Sequence, residues 1–257
     1  MVMIKKIKEH SFLFSELVKR DFKEKYKRTL LGMMWSLLSP LLTLLIMSLV
    51  FTHFFGNRTP HYTIYLFCGN ILFSYFSDAT GGGMSSLLAN AHIFTKINVP
   101  KYLFLFSRNV SSLINFALTF LVFLIFCIID GISIGASFIL LLFPILCITV
   151  FNLGVGLILS ALYVFFRDMM YLWNLFTLLL MYLSAIFYTV DIFPPEAERL
   201  FLLNPVYVYI KYFRVTVIDG AIPSAEHHLL SIFYAAAALA VGMIIYKRYN
   251  HRFLYYV

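Results

Sequence analysis

The sequence predicts an all-α polytopic membrane protein: six transmembrane helices, an N-terminal interfacial amphipathic helix, and two short re-entrant or interface helices before the last span. Three observations carry this. Of the 257 residues, 61 per cent are hydrophobic and 12 per cent charged, about half the charge of an ordinary soluble domain. Apolar runs of membrane length recur, with 29 uncharged residues after Arg28, 21 between Arg108 and Asp130, and 36 from Gly131 to Phe166. At 1.5 Å per residue, about 20 residues cross a hydrocarbon core of roughly 30 Å. Positive charge, finally, lies between these runs, nine of the 20 Lys and Arg falling from Lys5 to Arg28.

Taken in order, residues 1–30 form a cytoplasmic region whose Phe14, Val18 and Phe22 recur at helical spacing among Lys19, Asp21, Lys23 and Lys27. That pattern suits a helix lying in the membrane interface. Residues 31–257 hold the spans. The first is expected at about 35–55, with Trp35 at headgroup level and Pro40 near the start, where a missing backbone donor costs least. It follows the basic segment too late, and runs too long, for a cleavable signal peptide. The second is expected at about 62–80, after which Gly81, Gly82 and Gly83 loosen the helix or permit close helix contact. Residues 84–104 are mixed in character and predict a short cytoplasmic helix broken near Pro100.

Spans at 108–129 and 137–164 follow, the second with Pro144, Gly154 and Gly156 available for a kink or a tight contact. Arg167 and Asp168 close its inner end, as an ion pair that either gates or anchors. A fifth span is expected at 170–190. Between Asp191 and His228, Pro195 opens one short helix, Asn204 and Pro205 interrupt it, and a second runs to about Ile218. These pieces, at 195–218, are too apolar for a solvent loop and too broken for a crossing, so they require shielding by protein or water. The last span, 229–246, ends in a basic tail. With this topology 16 Lys and Arg lie inside and four outside, which places both termini in the cytoplasm.

The net charge of +8 does not point to nucleic acid, because the cations are confined to segments flanking apolar runs. Cys68, Cys127 and Cys147 lie in or beside apolar stretches, offering neither a disulfide framework nor a metal site. No phosphate-binding Gly-x-x-x-x-Gly-Lys-Ser/Thr motif occurs, no His-Glu-x-x-His and no Gly-x-Ser-x-Gly. His53, Asp78, Asp130, Arg167, Asp168 and Asp191 are scattered over both faces, so no catalytic constellation is expected. Tyr163, Tyr171, Tyr182, Tyr188, Tyr207, Tyr209 and Tyr212 each combine a flat apolar face with a hydroxyl, suited either to interfacial anchoring or to passing sugar contacts.

ELVKRDFKEKYKRTLLGMMWSLLSP at 16–40, IFTKINVPKYLF at 93–104, FFRDMMYLWN at 165–174 and IFPPEAERLFLLNPVYVYIKYFR at 192–214 together resemble the permease subunit of ABC-2 type transporters that export polysaccharide, O-antigen or teichoic acid. The resemblance implies a homodimer of six-helix subunits in the bacterial cytoplasmic membrane, joined to two cytoplasmic ABC ATPase subunits that bind ATP and Mg. No cofactor is implied for this chain. It implies a coupling element around Asn90, His92, Phe94, Lys96 and Asn98, and an outer gate including Phe201, Asn204, Pro205, Tyr207, Tyr209 and Tyr212. The cargo implied is a glycan on a polyprenyl diphosphate, with Lys19, Arg20, Lys23, Lys25 and Arg28 either attracting the diphosphate or anionic lipid or simply anchoring the cytoplasmic side, and Tyr163 and Tyr171 as further contacts. Val99 departs from the pattern, which favours an aromatic before Pro100. Alternatives are an ABC-2 permease for drugs or small lipids, and an integral-membrane glycan-modifying enzyme.

Overall fold

The computed structural model describes residues 10–24, 27, 29–55 and 59–256. Among them there is no strand. The chain runs through α1 (Ser11–Glu24), α2 (Trp35–Phe55), α3 (Tyr62–Ala89), the single turn α4 (Ala91–Phe94), α5 (Tyr102–Ile129), α6 (Leu142–Phe165), α7 (Met169–Leu183), α8 (Pro195–Phe201), α9 (Pro205–Val217) and α10 (Ala225–Tyr249). Short 3₁₀ turns precede α2 and α6, cross Val190–Ile192, and close the C-terminal segment at Arg252–Tyr255.

Four helical stretches are long and apolar enough to cross a membrane by themselves: Gly32–His53, Tyr102–Ile129, Ala136–Phe165 and Ala225–Tyr249. The remaining two expected crossings differ, each for a physical reason. Helix α3 has the length but carries Asn70, Ser74, Asp78, Thr80 and four glycines. It packs against α2, α5, α6, α7 and α9, so most of its side chains meet protein and it does not need a lipid-compatible composition. The glycine triplet leaves it unbroken to Ala89, nine residues beyond the expected end. Instead the glycines admit neighbours: Arg108 lies over Gly82, and a β-carbon on Gly83 would stand 3.4 Å from the Gly156 α-carbon.

Helix α7 has 15 residues, a rise of about 22 Å, where the sequence predicts a span to residue 190. It stops at Leu183, and Ala185 takes a left-handed backbone conformation with φ of 49°. The four residues that follow the helix, Ser184 to Phe187, are buried.

Helices α6 and α10 make the closest crossing. Gly154 lies directly against the backbone of Ala238 and Leu239, while Gly242 faces the Gly154 carbonyl. Small residues at such a crossing let two backbones touch, the main source of helix association where apolar side chains gain little over lipid. The α8 and α9 boundaries follow the expected Pro and Asn signals, with Asn204 Oδ1 accepting from the Val206 N–H at 3.0 Å.

Candidate functional site

At the end of the bundle carrying the N- and C-terminal segments, α1 lies along α5. Leu17 is buried with Phe94 and Phe104, and Leu13 packs against them. The side that packs on protein is thus one position off the expected Phe14, Val18 and Phe22 stripe, whose residues are half-buried. Asp21, 5 per cent exposed, fastens this contact by accepting from Ser107 Oγ at 2.8 Å and from Arg20 Nη2 at 2.6 Å. Asp21→Ala is expected to loosen α1 by about 2 kcal/mol, the scale of a charge-assisted hydrogen bond, seen as faster protease cleavage within α1.

The basic residues divide accordingly. Arg20 is committed to Asp21, Lys19 pairs with Glu16 at 2.8 Å on an exposed surface, and Lys23 is exposed. Lys25 and Arg28 lie outside the described residues.

In the expected coupling element the residues separate into anchors and exposed positions. Asn90 is buried at the end of α3, donating to the Ser86 carbonyl at 2.8 Å, and Phe94 is buried against Phe104. His92, Lys96 and Asn98 face outward. Lys101 braces the element from below: it donates to the Asn250 carbonyl at 2.7 Å and stands over the rings of Phe94 and Phe253. Burial pulls its pKa below the ordinary lysine value. Phe253 is fully buried, so the C-terminal turn is part of this platform. Arg167 and Asp168 are both exposed and make no ion pair with each other among the described residues; Arg167 stands 5.9 Å from the Tyr163 ring instead. Tyr171 is exposed on α7.

At the opposite end the structure assembles a clamp that sequence reasoning missed. Arg214 of α9, 7 per cent exposed, donates to the carbonyls of Tyr65, Ala185 and Ile186 at 2.9 to 3.2 Å and stacks 3.4 Å from the Tyr65 ring centroid. Tyr62 Oη donates to the Phe187 carbonyl, Tyr65 Oη to that of Tyr188, and Asn204 Nδ2 to that of Leu183. Apart from the Tyr65 carbonyl of α3, these acceptors lie at or just after the point where α7 unwinds. Backbone freed from a helix at membrane depth must find partners in the protein, and here they come from α3 and from α9 with its Asn204 cap. Gly69 leaves the room, since a β-carbon there would come within 2.9 Å of Arg214 Nη2.

The expected gate tyrosines take part in this packing. Tyr207, Tyr209 and Tyr212 are buried inside the subunit, Tyr209 donating to the Ser231 carbonyl and Tyr212 paired with His228. Phe201 is half-buried against Tyr207, and Asn204 and Pro205 form the α9 start.

Residues 13–218 match the profile of the family described as ABC-2 type transporter. The chain belongs to that family. This ABC-2 chain is 28 per cent identical over 249 residues to the O-antigen export system permease protein RfbA of Klebsiella pneumoniae, covering 94 per cent of this chain and 95 per cent of the relative. It is 26 per cent identical over 230 residues to the protein of the same name from Myxococcus xanthus, with 87 per cent of each covered. The capsule polysaccharide export inner-membrane protein CtrC of Neisseria meningitidis is 22 per cent identical over 259 residues, with 96 and 98 per cent covered. The ABC-2 match runs through α1, the α4 turn and the α9 clamp alike, so those features lie within the family's own domain.

Proposed function

We propose that this ABC-2 chain is the permease subunit of an ATP-driven exporter that moves a polyprenyl-diphosphate-linked or extended cell-surface polysaccharide across the cytoplasmic membrane. The observation that supports it most is likeness over nearly the whole chain to permeases named for O-antigen and for capsule export. In this reading a second copy completes the passage, two cytoplasmic ATPase subunits bind ATP and Mg, and both termini face the cytoplasm. The exposed apolar faces of α2 and α7 supply the seam between copies. Lys19 and Lys23, with Lys25 and Arg28, draw the diphosphate toward the inner leaflet.

The fold also supplies a route for force. His92, Lys96 and Asn98 present an exposed edge to an ATPase, while Phe94, Lys101 and Phe253 hold that edge to the bundle. Helix α3 begins at the Tyr62 and Tyr65 clamp contacts and ends one residue before α4, so a push on the coupling turn is delivered along one unbroken helix to the unwound segment. Release of that segment would move α8 and α9 together and expose the buried tyrosines to the passage.

The test is ATP-dependent movement of lipid-linked glycan in vesicles holding this chain and its cognate ATPase. Glycan on the far leaflet only when both subunits are present is the expected result. Efflux of small molecules or lipids without glycan movement, or glycosyl transfer by the chain alone, would overturn it.

A further inference from the structure

The bundle contains a polar cavity of about 380 Å³ between α2, α3 and α5, a size within the range of small-molecule sites. It begins beside Thr29 and Trp35 at the basic end and extends along the α3 face carrying Asn70, Ser74 and Asp78. Three of its hydroxyls are turned to accept. Ser36, Thr43 and Thr119 line it with hydroxyl protons already given to the carbonyls of Met33, Ser39 and Asn115, which leaves oxygen lone pairs for a ligand. Asp78 is the one charged side chain among the described lining residues. Ser112, 2 per cent exposed, has an Oγ with no hydrogen-bond partner. A buried hydroxyl left unpaired is costly unless something else occupies the space before it.

A donor-rich ligand without negative charge is the complement of such a lining. Phosphate would meet Asp78 with no Lys or Arg beside it among the described lining residues, and an acyl chain would leave Ser112 Oγ unpaired. Trp35 adds an exposed indole at the mouth, a flat apolar face of the kind that packs against the C–H side of a sugar ring. We propose that this cavity is a subsite for a neutral sugar ring of the cargo, held within one subunit and separate from the diphosphate-attracting α1. The inference rests on the polysaccharide-export reading and adds where, in this chain, sugar hydroxyls are read.

The test uses the vesicle system, with lipid-linked glycan extracted from the source cells as the probe. Ser112→Val and Asp78→Asn are expected to slow export about fivefold for each hydrogen bond lost, with the ATPase subunits still co-purifying, while Ser112→Thr restores most of the rate. A photoreactive phenylalanine analogue replacing Thr43, at the cavity edge, is expected to capture adducts of sugar mass in glycan-producing membranes. The same analogue at lipid-facing Leu146 should capture lipid alone. Wild-type export with unchanged rates in all three variants, or Thr43 adducts limited to phospholipid or water, would overturn the subsite and leave the export reading standing. No glycan movement by the wild type would overturn both.

Discussion

Arg214→Met is expected to abolish accumulation of folded protein in the membrane. The methionine fills much of the same space but leaves the Ile186 carbonyl with no donor and removes one of two donors from Ala185. Each buried acceptor left open costs about 1 to 3 kcal/mol, and loss of the cation stacked on Tyr65 adds about 1 to 2 kcal/mol, against a total stability of about 5 to 15 kcal/mol. Arg214→Lys is expected to rescue little, since one ammonium cannot span three carbonyls as a planar fork does. Gly69→Ala, which removes no donor but crowds Nη2 and Ile186, should give a milder version of the same defect. Membrane levels and thermal inactivation in detergent would measure all three. Normal levels of Arg214→Met would mean that the tyrosines and Asn204 suffice to hold the unwound segment.

The second large effect is expected at the crossing of α6 and α10. Gly154→Leu places a branched side chain where the Ala238 and Leu239 backbone already stands. Backbone cannot turn aside as a side chain does, so α10 must separate or the helices must shift along their whole contact, at about 3 kcal/mol or more. The same substitution at Gly135, which has open space around it, should be well tolerated. Comparing the two by protein level and by disulfide trapping between α6 and α10 separates this contact from a general intolerance of leucine. Equal behaviour of the two variants would remove the crossing as a determinant of the fold.

Much of this architecture was legible in the sequence because the bilayer imposes a composition. The uncharged run after Arg28 became α2 with both expected ends, and the spacing from Arg108 to Asp130 became α5, which ends as expected at Ile129 but starts six residues earlier, at Tyr102. Local capping chemistry was equally readable: Pro195, Asn204 and Pro205 begin α8 and α9 where their backbone preferences require. Features that depend on partners distant in sequence were not. Arg214 counted only as one of four cations on the outer side, because its carbonyl acceptor on Tyr65 is 149 residues away. Nothing in residues 170–190 announces that the helix stops at Leu183, since that stretch is uncharged throughout and the donors that permit unwinding lie in α3 and α9. Tyr209 and Tyr212 resembled surface aromatics until α6 and α10 were packed around them. A hint was present in Gly69: a lone glycine in an aromatic-rich helix marks close approach by something large.

The shortness of α7 has a consequence for the lipid around the protein. Its outward side is almost continuously apolar, with Leu172, Leu175, Leu178, Leu179 and Leu183 exposed, yet 15 helical residues cover only about 22 Å of a hydrocarbon layer near 30 Å thick. Acyl chains meeting that face must compress or tilt, at fractions of a kcal/mol for each ångström of mismatch. A second subunit laid over α7 would spare the membrane that deformation. In the two-copy arrangement proposed above, bilayer thickness would then favour pairing, more strongly in a thick membrane than in a thin one.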